Sequence, residues 1–229
     1  VRLAGVFAML LVVLVGCTDT PPLDTTADVP GPSVSATPSA PATPSLTPKP
    51  TPTAPTSRPT SSVVTMSIPS IGVRNLRVVA YEGTADDRPG TTIQDRGVAA
   101  SPRGPGGGVG AGEVGNFIIT GHRVSHGRPL ERVPDLANGT HILITTGGTV
   151  YDYVVSQTMT ISFRKAAEKA AQNAAVPGRP GVTATQAMLT ISTCATPEDN
   201  AAGNYWRDAL GNPEHRINKI ATLVATRSA

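Results

Sequence analysis

The chain has 229 residues with 22 Pro, 23 Gly and only eight Phe, Tyr and Trp, so it does not read as one uniform globular segment. Its net charge is +3, and the basic residues are scattered with no Lys/Arg run or aromatic-interleaved patch, which excludes a nucleic-acid-binding footprint. Two cysteines, Cys17 and Cys194, are too few and too far apart for a disulfide framework, so each needs its own explanation.

The amino end starts with a basic Arg2, then runs uncharged from Leu3 to Gly16. These 14 residues are fewer than the roughly 20 a membrane-spanning helix needs, and the length suits the apolar region of a signal peptide. The run closes on Leu14-Val15-Gly16-Cys17, which resembles the lipobox of bacterial lipoproteins. The resemblance implies a signal peptide over 1–16, cleavage before Cys17 and lipid on the Cys17 thiol; an uncleaved anchor or an ordinary secretory signal is the competing reading. Twelve of the 22 prolines then fall between Pro21 and Pro59, interleaved with Ser and Thr. Such a segment carries too little apolar surface to offset the entropy of ordering it. Residues 17–62 are therefore expected to be a disordered Pro/Thr/Ser-rich tether, reaching at most about 140 Å if extended as polyproline II.

The remaining 63–229 are ample for a single core. Val64, Met66 and Ile68 alternate with polar residues as a half-buried strand. Leu76–Tyr81 and Val114–Thr120 predict two more strands. Leu130–Leu136 predicts a short helix. His141–Thr146 follows the Asn138-Gly139 turn signal, and Gly147-Gly148 makes a hairpin into Val150–Ile161, where Tyr151, Tyr153 and Val155 share a face. Arg164–Ala175 has helix composition and stops before Pro177; Met188–Thr193 and Ile217–Thr226 are the last strands. Seven or eight strands with two small helices predict an all-β fold, a closed or nearly closed antiparallel-rich barrel. Gly110–Gly115 matches GxGxxG but follows a Gly/Pro loop and opens a strand, so it is not a dinucleotide fingerprint. Neither a cofactor nor a metal is expected.

Cys194 ends the run Leu189-Thr190-Ile191-Ser192-Thr193-Cys194. Period 2 places Leu189, Ile191 and Thr193 on the core face and Thr190, Ser192 and Cys194 on the other. A lone thiol is most often a structural core residue, but a polar face and a strand end favour a nucleophile. A nucleophilic Cys needs a base. His122 follows the aliphatic strand through Gly121, read as a turn that aims the imidazole back across the strand ends; His126, His141 and His215 remain open alternatives. Arg216 starts the last strand 22 residues after Cys194. Antiparallel pairing of those strands would set it beside the thiol, as a donor for a developing oxyanion.

Thr190-Ile191-Ser192-Thr193-Cys194 resembles the TLxTC signature of sortases, Thr120-Gly121-His122-Arg123 resembles their histidine motif, and Arg216 matches the arginine that opens their last strand. The resemblance covers roughly 64–226. The GHR-x2-HG form at Gly121–Gly127 and the long Cys-to-Arg loop are most similar to actinobacterial class E sortases. It implies an eight-stranded barrel and a cysteine transpeptidase. Cys194 corresponds to the nucleophile, His122 to the general acid and base, and Arg216 to the substrate-holding and oxyanion-stabilising residue. Thr193 corresponds to the threonine of the substrate groove. The implied partners are a sorting-signal peptide of LPxTG or LAxTG type, cut after Thr, and an amine on a wall precursor or pilin. The implied location is the outer face of a Gram-positive cytoplasmic membrane, reached here through a lipid rather than a transmembrane anchor. An L,D-transpeptidase would carry His-Gly before its Cys and Arg after it, and a papain-like enzyme would start a helix at its Cys; neither pattern is present. The non-enzymatic alternative is a tethered wall lipoprotein that keeps the barrel without turnover.

Overall fold

The computed structural model describes residues 63–229, which lie within one compact unit. The expected signal peptide, Cys17 and the expected tether lie outside the described residues. The elements run β1 (Val64–Ile68), β2 (Val73–Glu82), α1 (Arg88–Gln94), β3 (Ala99–Arg103), β4 (Gly115–Thr120), β5 (His141–Thr146), β6 (Thr149–Ser162), α2 (Ala166–Asn173), β7 (Ala187–Cys194), α3 (Thr196–Ala201) and β8 (His215–Ser228). The strands close into a barrel in the order β1-β2-β3-β4-β7-β8-β6-β5. Closure leaves no open sheet edge. The β2–β3 and β4–β7 pairs are parallel and the others antiparallel.

Alternation sets the core. Met66 and Ile68, Phe117 and Ile119, Ile142 and Ile144, Tyr153 and Val155, and Leu189 and Ile191 all point into one buried cluster. The predicted strands are present: Val64–Ile68 and His141–Thr146 have the expected bounds, β4 starts one residue later, and the others run one to three residues longer at each end. The predicted helix at Leu130–Leu136 is a single 3₁₀ turn, Val133–Asp135.

Three elements have no counterpart among the predicted ones. The strand β3 reads AASPR, with no aliphatic alternation, and it contains a proline. It pairs with β2 along its length but with β4 only at Ala100. Pro102 therefore sits where no β4 partner needs its missing N–H. The helix α1 reads RPGTTIQ, poor in helix formers, and is held by Asp87, whose side chain accepts from the Gly90 N–H at 2.8 Å. Gly90 itself is needed because a Cβ there would come within 2.3 Å of the Tyr81 hydroxyl. The helix α3 lies in the segment read as a polar loop, although Pro197 in its first turn and Glu198 and Asp199 beside it are proper start signals.

The non-core face of β7 is polar, as alternation predicts, but it is not open to water. Thr190 and Ser192 are buried. The Thr190 hydroxyl donates to Asn116 Oδ1 at 2.8 Å, and Asn116 Nδ2 donates to the Gln172 and Ala174 carbonyls. The second helix thus roofs this side of the sheet.

A candidate active site at the ends of β4, β7 and β8

The last residue of β7 faces the start of β8. Antiparallel pairing places Cys194 opposite Arg216, so the adjacency expected from the sequence is realised. Cys194 keeps part of its surface open and is not in a disulfide. Its sulfur lies 4.0 Å from Asn212 Oδ1. Burial pushes the thiol up to about 11; Arg216 opposes that shift, while the Asp86 and Asp208 carboxylates add to it. At neutral pH the resting group is the thiol.

Arg216 is wholly buried. Nε donates to Asp86 Oδ2 at 2.6 Å and Nη1 to the Pro213 carbonyl at 2.6 Å, with the Phe163 ring 3.9 Å from the guanidinium carbon. Its Nη2 has no hydrogen-bond partner and lies 4.0 Å from Asp208 Oδ2. Asp86 sits in left-handed backbone, φ +59°, and also accepts from Gln94 Nε2, which reaches Thr120 Oγ1 at the end of β4. A cleft of about 390 Å³ opens beside this pair, walled by Asp86, Phe163, Trp206 and Asp208.

The β4 end is tied to the β7 end on both sides of His122. Thr193 Oγ1 donates to the Gly121 carbonyl at 2.8 Å, and Arg123 Nη1 to the Cys194 carbonyl at 3.4 Å. Arg123 also grips Glu198 of α3 through both guanidinium nitrogens, with Nη2–Oε1 at 2.9 Å. Gly121 is not in positive-φ backbone, so the turn into His122 does not draw on glycine's left-handed freedom. It is small because a Cβ would press on Leu130 Cδ1 at 2.8 Å. The His122 ring, 12% exposed, contacts Asp95 Oδ1 through Nε2 at 2.9 Å and stacks on His126 with centroids 4.7 Å apart. Among the described contacts its ring partners are Asp95 and His126, not the thiol.

The other histidines separate cleanly. His215 is clamped by Asp199 of α3, Nδ1–Oδ1 2.6 Å, and His141 pairs with Asp152 across β5 and β6. Thr193 is buried, so its hydroxyl serves the His122 turn. Asp86, Asp95, Asp208 and Asn212 border the candidate site, and the sequence reading missed them. Each lies in a loop or at a helix end, with no motif to mark it.

A protein-family model for the sortase domain matches residues 66–208, more than half of the chain. The chain belongs to the sortase family. Solved sortases share its fold. The SrtA sortase from Actinomyces oris aligns with TM-score 0.55 at 20% identity, covering 74% of this chain and 83% of that one. Sortase E from Streptomyces avermitilis aligns with TM-score 0.52 at 22% identity, covering 72% and 89%. Sortase E1 from Streptomyces coelicolor, solved with a tripeptide in the active site, aligns with TM-score 0.53 at 19% identity, covering 73% and 90%. No curated protein sequence matches. Sortases are cysteine transpeptidases of the Gram-positive cell surface, and this sortase has no helix among its described residues long and apolar enough to cross a membrane.

The thiol's environment gives a direct check. Alkylation of Cys194, followed by mass spectrometry of its peptide, is expected to keep accelerating up to pH 10 with no plateau near 8.5. Asp208→Asn removes a carboxylate that opposes the thiolate, so it shifts the profile to lower pH. A wild-type plateau near pH 8.5, or a shift to higher pH in Asp208→Asn, contradicts this account.

Proposed function

We propose that this sortase cleaves a sorting signal of LPxTG or LAxTG type after its Thr and transfers the acyl group from Cys194 to an amine on a wall precursor or pilin. The observation that carries the reading is the pairing of Cys194 with Arg216, with the His122 turn fastened to the same strand end by Thr193 and Arg123.

Because the resting group is a thiol, sulfur attack on the Thr carbonyl must be coupled to proton transfer from Cys194 to His122. In the tautomer that donates Nε2–H to the Asp95 carboxylate, Nδ1 carries the lone pair and is the atom left to accept that proton. The tetrahedral oxyanion then forms beside Arg216. The unpartnered Nη2 is the donor available to it, and an unpaired buried donor of this kind costs about 1–3 kcal/mol until an acceptor arrives. Collapse expels the leaving amine, which takes the proton from His122 and leaves a thioester on Cys194. The incoming amine attacks that thioester, passes a proton to His122, and the sulfur departs to be reprotonated. Thr193 contributes to the substrate groove by holding the Gly121 carbonyl and so the His122 turn.

The same proposal takes 1–16 as signal peptide, 17–62 as a lipid-anchored tether and 63–229 as the catalytic domain. Two acyl chains on Cys17 hold stably in a membrane where one does not.

Peptide cleavage and acyl transfer are expected to vanish in Cys194→Ala and to fall comparably in His122→Ala, because groups acting as a unit are not additive. Arg216→Lys keeps the charge but loses the planar fork, and is expected to lower turnover by about 10²–10³-fold, as for a lost oxyanion donor. Near-normal turnover in Arg216→Lys would leave Arg216 a purely structural cation. Fatty-acid labelling and the mass of the amino-terminal peptide test the anchor. Labelled protein beginning at Cys17, and release or stalled processing in Cys17→Ser, are expected; unlabelled protein retaining 1–16 contradicts lipidation.

A further inference from the structure

We infer that Asp95, His122 and His126 form an inhibitory site for a divalent transition metal of the zinc class. One ligand atom from each residue lies within 4.8 Å of the others. Asp95 Oδ1 is the shared vertex, 2.9 Å from His122 Nε2 and 3.6 Å from His126 Nδ1. Ligands held about 2.0–2.1 Å from a tetrahedral ion lie roughly 3.3 Å from one another, so these two edges already bracket the required spacing. The third edge closes by rotation of His126, whose side chain is 46% exposed.

Two features of the fold assemble this cluster. His126 is in left-handed backbone, φ +48°, which turns its ring back onto His122 instead of away along the loop. Asp95 is the C-cap residue of α1, where the helix dipole disfavours a carboxylate, so helix chemistry does not account for its placement. Two imidazoles with one carboxylate suit zinc and its neighbours and not magnesium or calcium. The open side at Asp95 and His126 admits the ion and leaves a fourth position for water.

A metal on His122 Nε2 would fix the ring and withdraw basicity from it, so the ion would halt acyl transfer. The inhibition rests on the role proposed for His122; the binding does not.

The test uses the full chain with Cys17→Ser and Cys194→Ala, so that no thiol remains to bind the ion. Titration calorimetry with zinc chloride is expected to give one ion per chain in the micromolar range or tighter, and no binding of magnesium. His126→Ala and Asp95→Ala are each expected to weaken binding at least ~10-fold, while His141→Ala leaves it unchanged. Binding confined to millimolar zinc, or stoichiometric binding that survives His126→Ala, overturns the site. In the Cys17→Ser chain, zinc is expected to suppress peptide cleavage reversibly on chelation, with His126→Ala raising the zinc needed for half-suppression ~10-fold. Confirmed binding without suppression overturns the inhibitory part. A metal-free chain that cleaves no peptide contradicts the functional reading, and calorimetry still decides the site.

Discussion

The structure depends on one buried ion pair, that of Arg216 with Asp86. A guanidinium with no solvent exposure survives only where carboxylate and carbonyl acceptors replace the water it has lost. Asp86 Oδ2 and the Pro213 carbonyl do so, each at 2.6 Å, with the Phe163 ring against the guanidinium plane. Meeting that demand organises the surroundings. The loop before α1 takes left-handed backbone at Asp86. From Asp86 the link passes through Gln94 to Thr120 at the end of β4, two residues before His122. The charge opening β8 thereby fixes the loop, the helix and the strand around the candidate site.

The same pair sets the electrostatics at Cys194. Arg216 alone would favour the thiolate; Asp86 and Asp208 offset it, and burial decides the balance toward the thiol. A thiol held in this way is protected from adventitious oxidation, which proceeds through the thiolate. The proposed acylation then requires a proton acceptor, and His122, proposed for that role, sits on a segment fastened to β7 by Thr193 and Arg123. The long segment between Cys194 and Arg216 is likewise braced, by Asp199 on His215 and by Glu214, which Ser162 and Asn204 hold as a carboxylate.

The barrel was legible because alternation is a local property. Phe117 and Ile119, or Leu189 and Ile191, announce a core face without knowledge of their partners. The Cys194–Arg216 contact was legible because an antiparallel pair brings a strand end to the next strand's start. Illegible were elements shaped by tertiary contact. The third strand lacks alternation because Pro102 and Ser101 are set by its neighbours, and α1 carries Gly90 because Tyr81 packs over that position and leaves no room for a Cβ. Asp86 and Asp95 were missed for a related reason. Their partners lie 130 and 27 residues away in the chain, and nothing near either aspartate signals a distant cation or imidazole. At Gly121 the need is for small size against Leu130, which in sequence looks identical to a need for glycine's conformational freedom.

The central claim is that the sulfur opposite Arg216 becomes the acyl carrier. Intact-mass spectrometry, after brief exposure of the full chain to an LPxTG- or LAxTG-type peptide without amine acceptor and an acid quench, addresses it directly. The account predicts a mass gain equal to the peptide up to its Thr, mapped to the Cys194 peptide and removed by hydroxylamine. Cleavage of the peptide with no such adduct, or an adduct on any other residue, would contradict it.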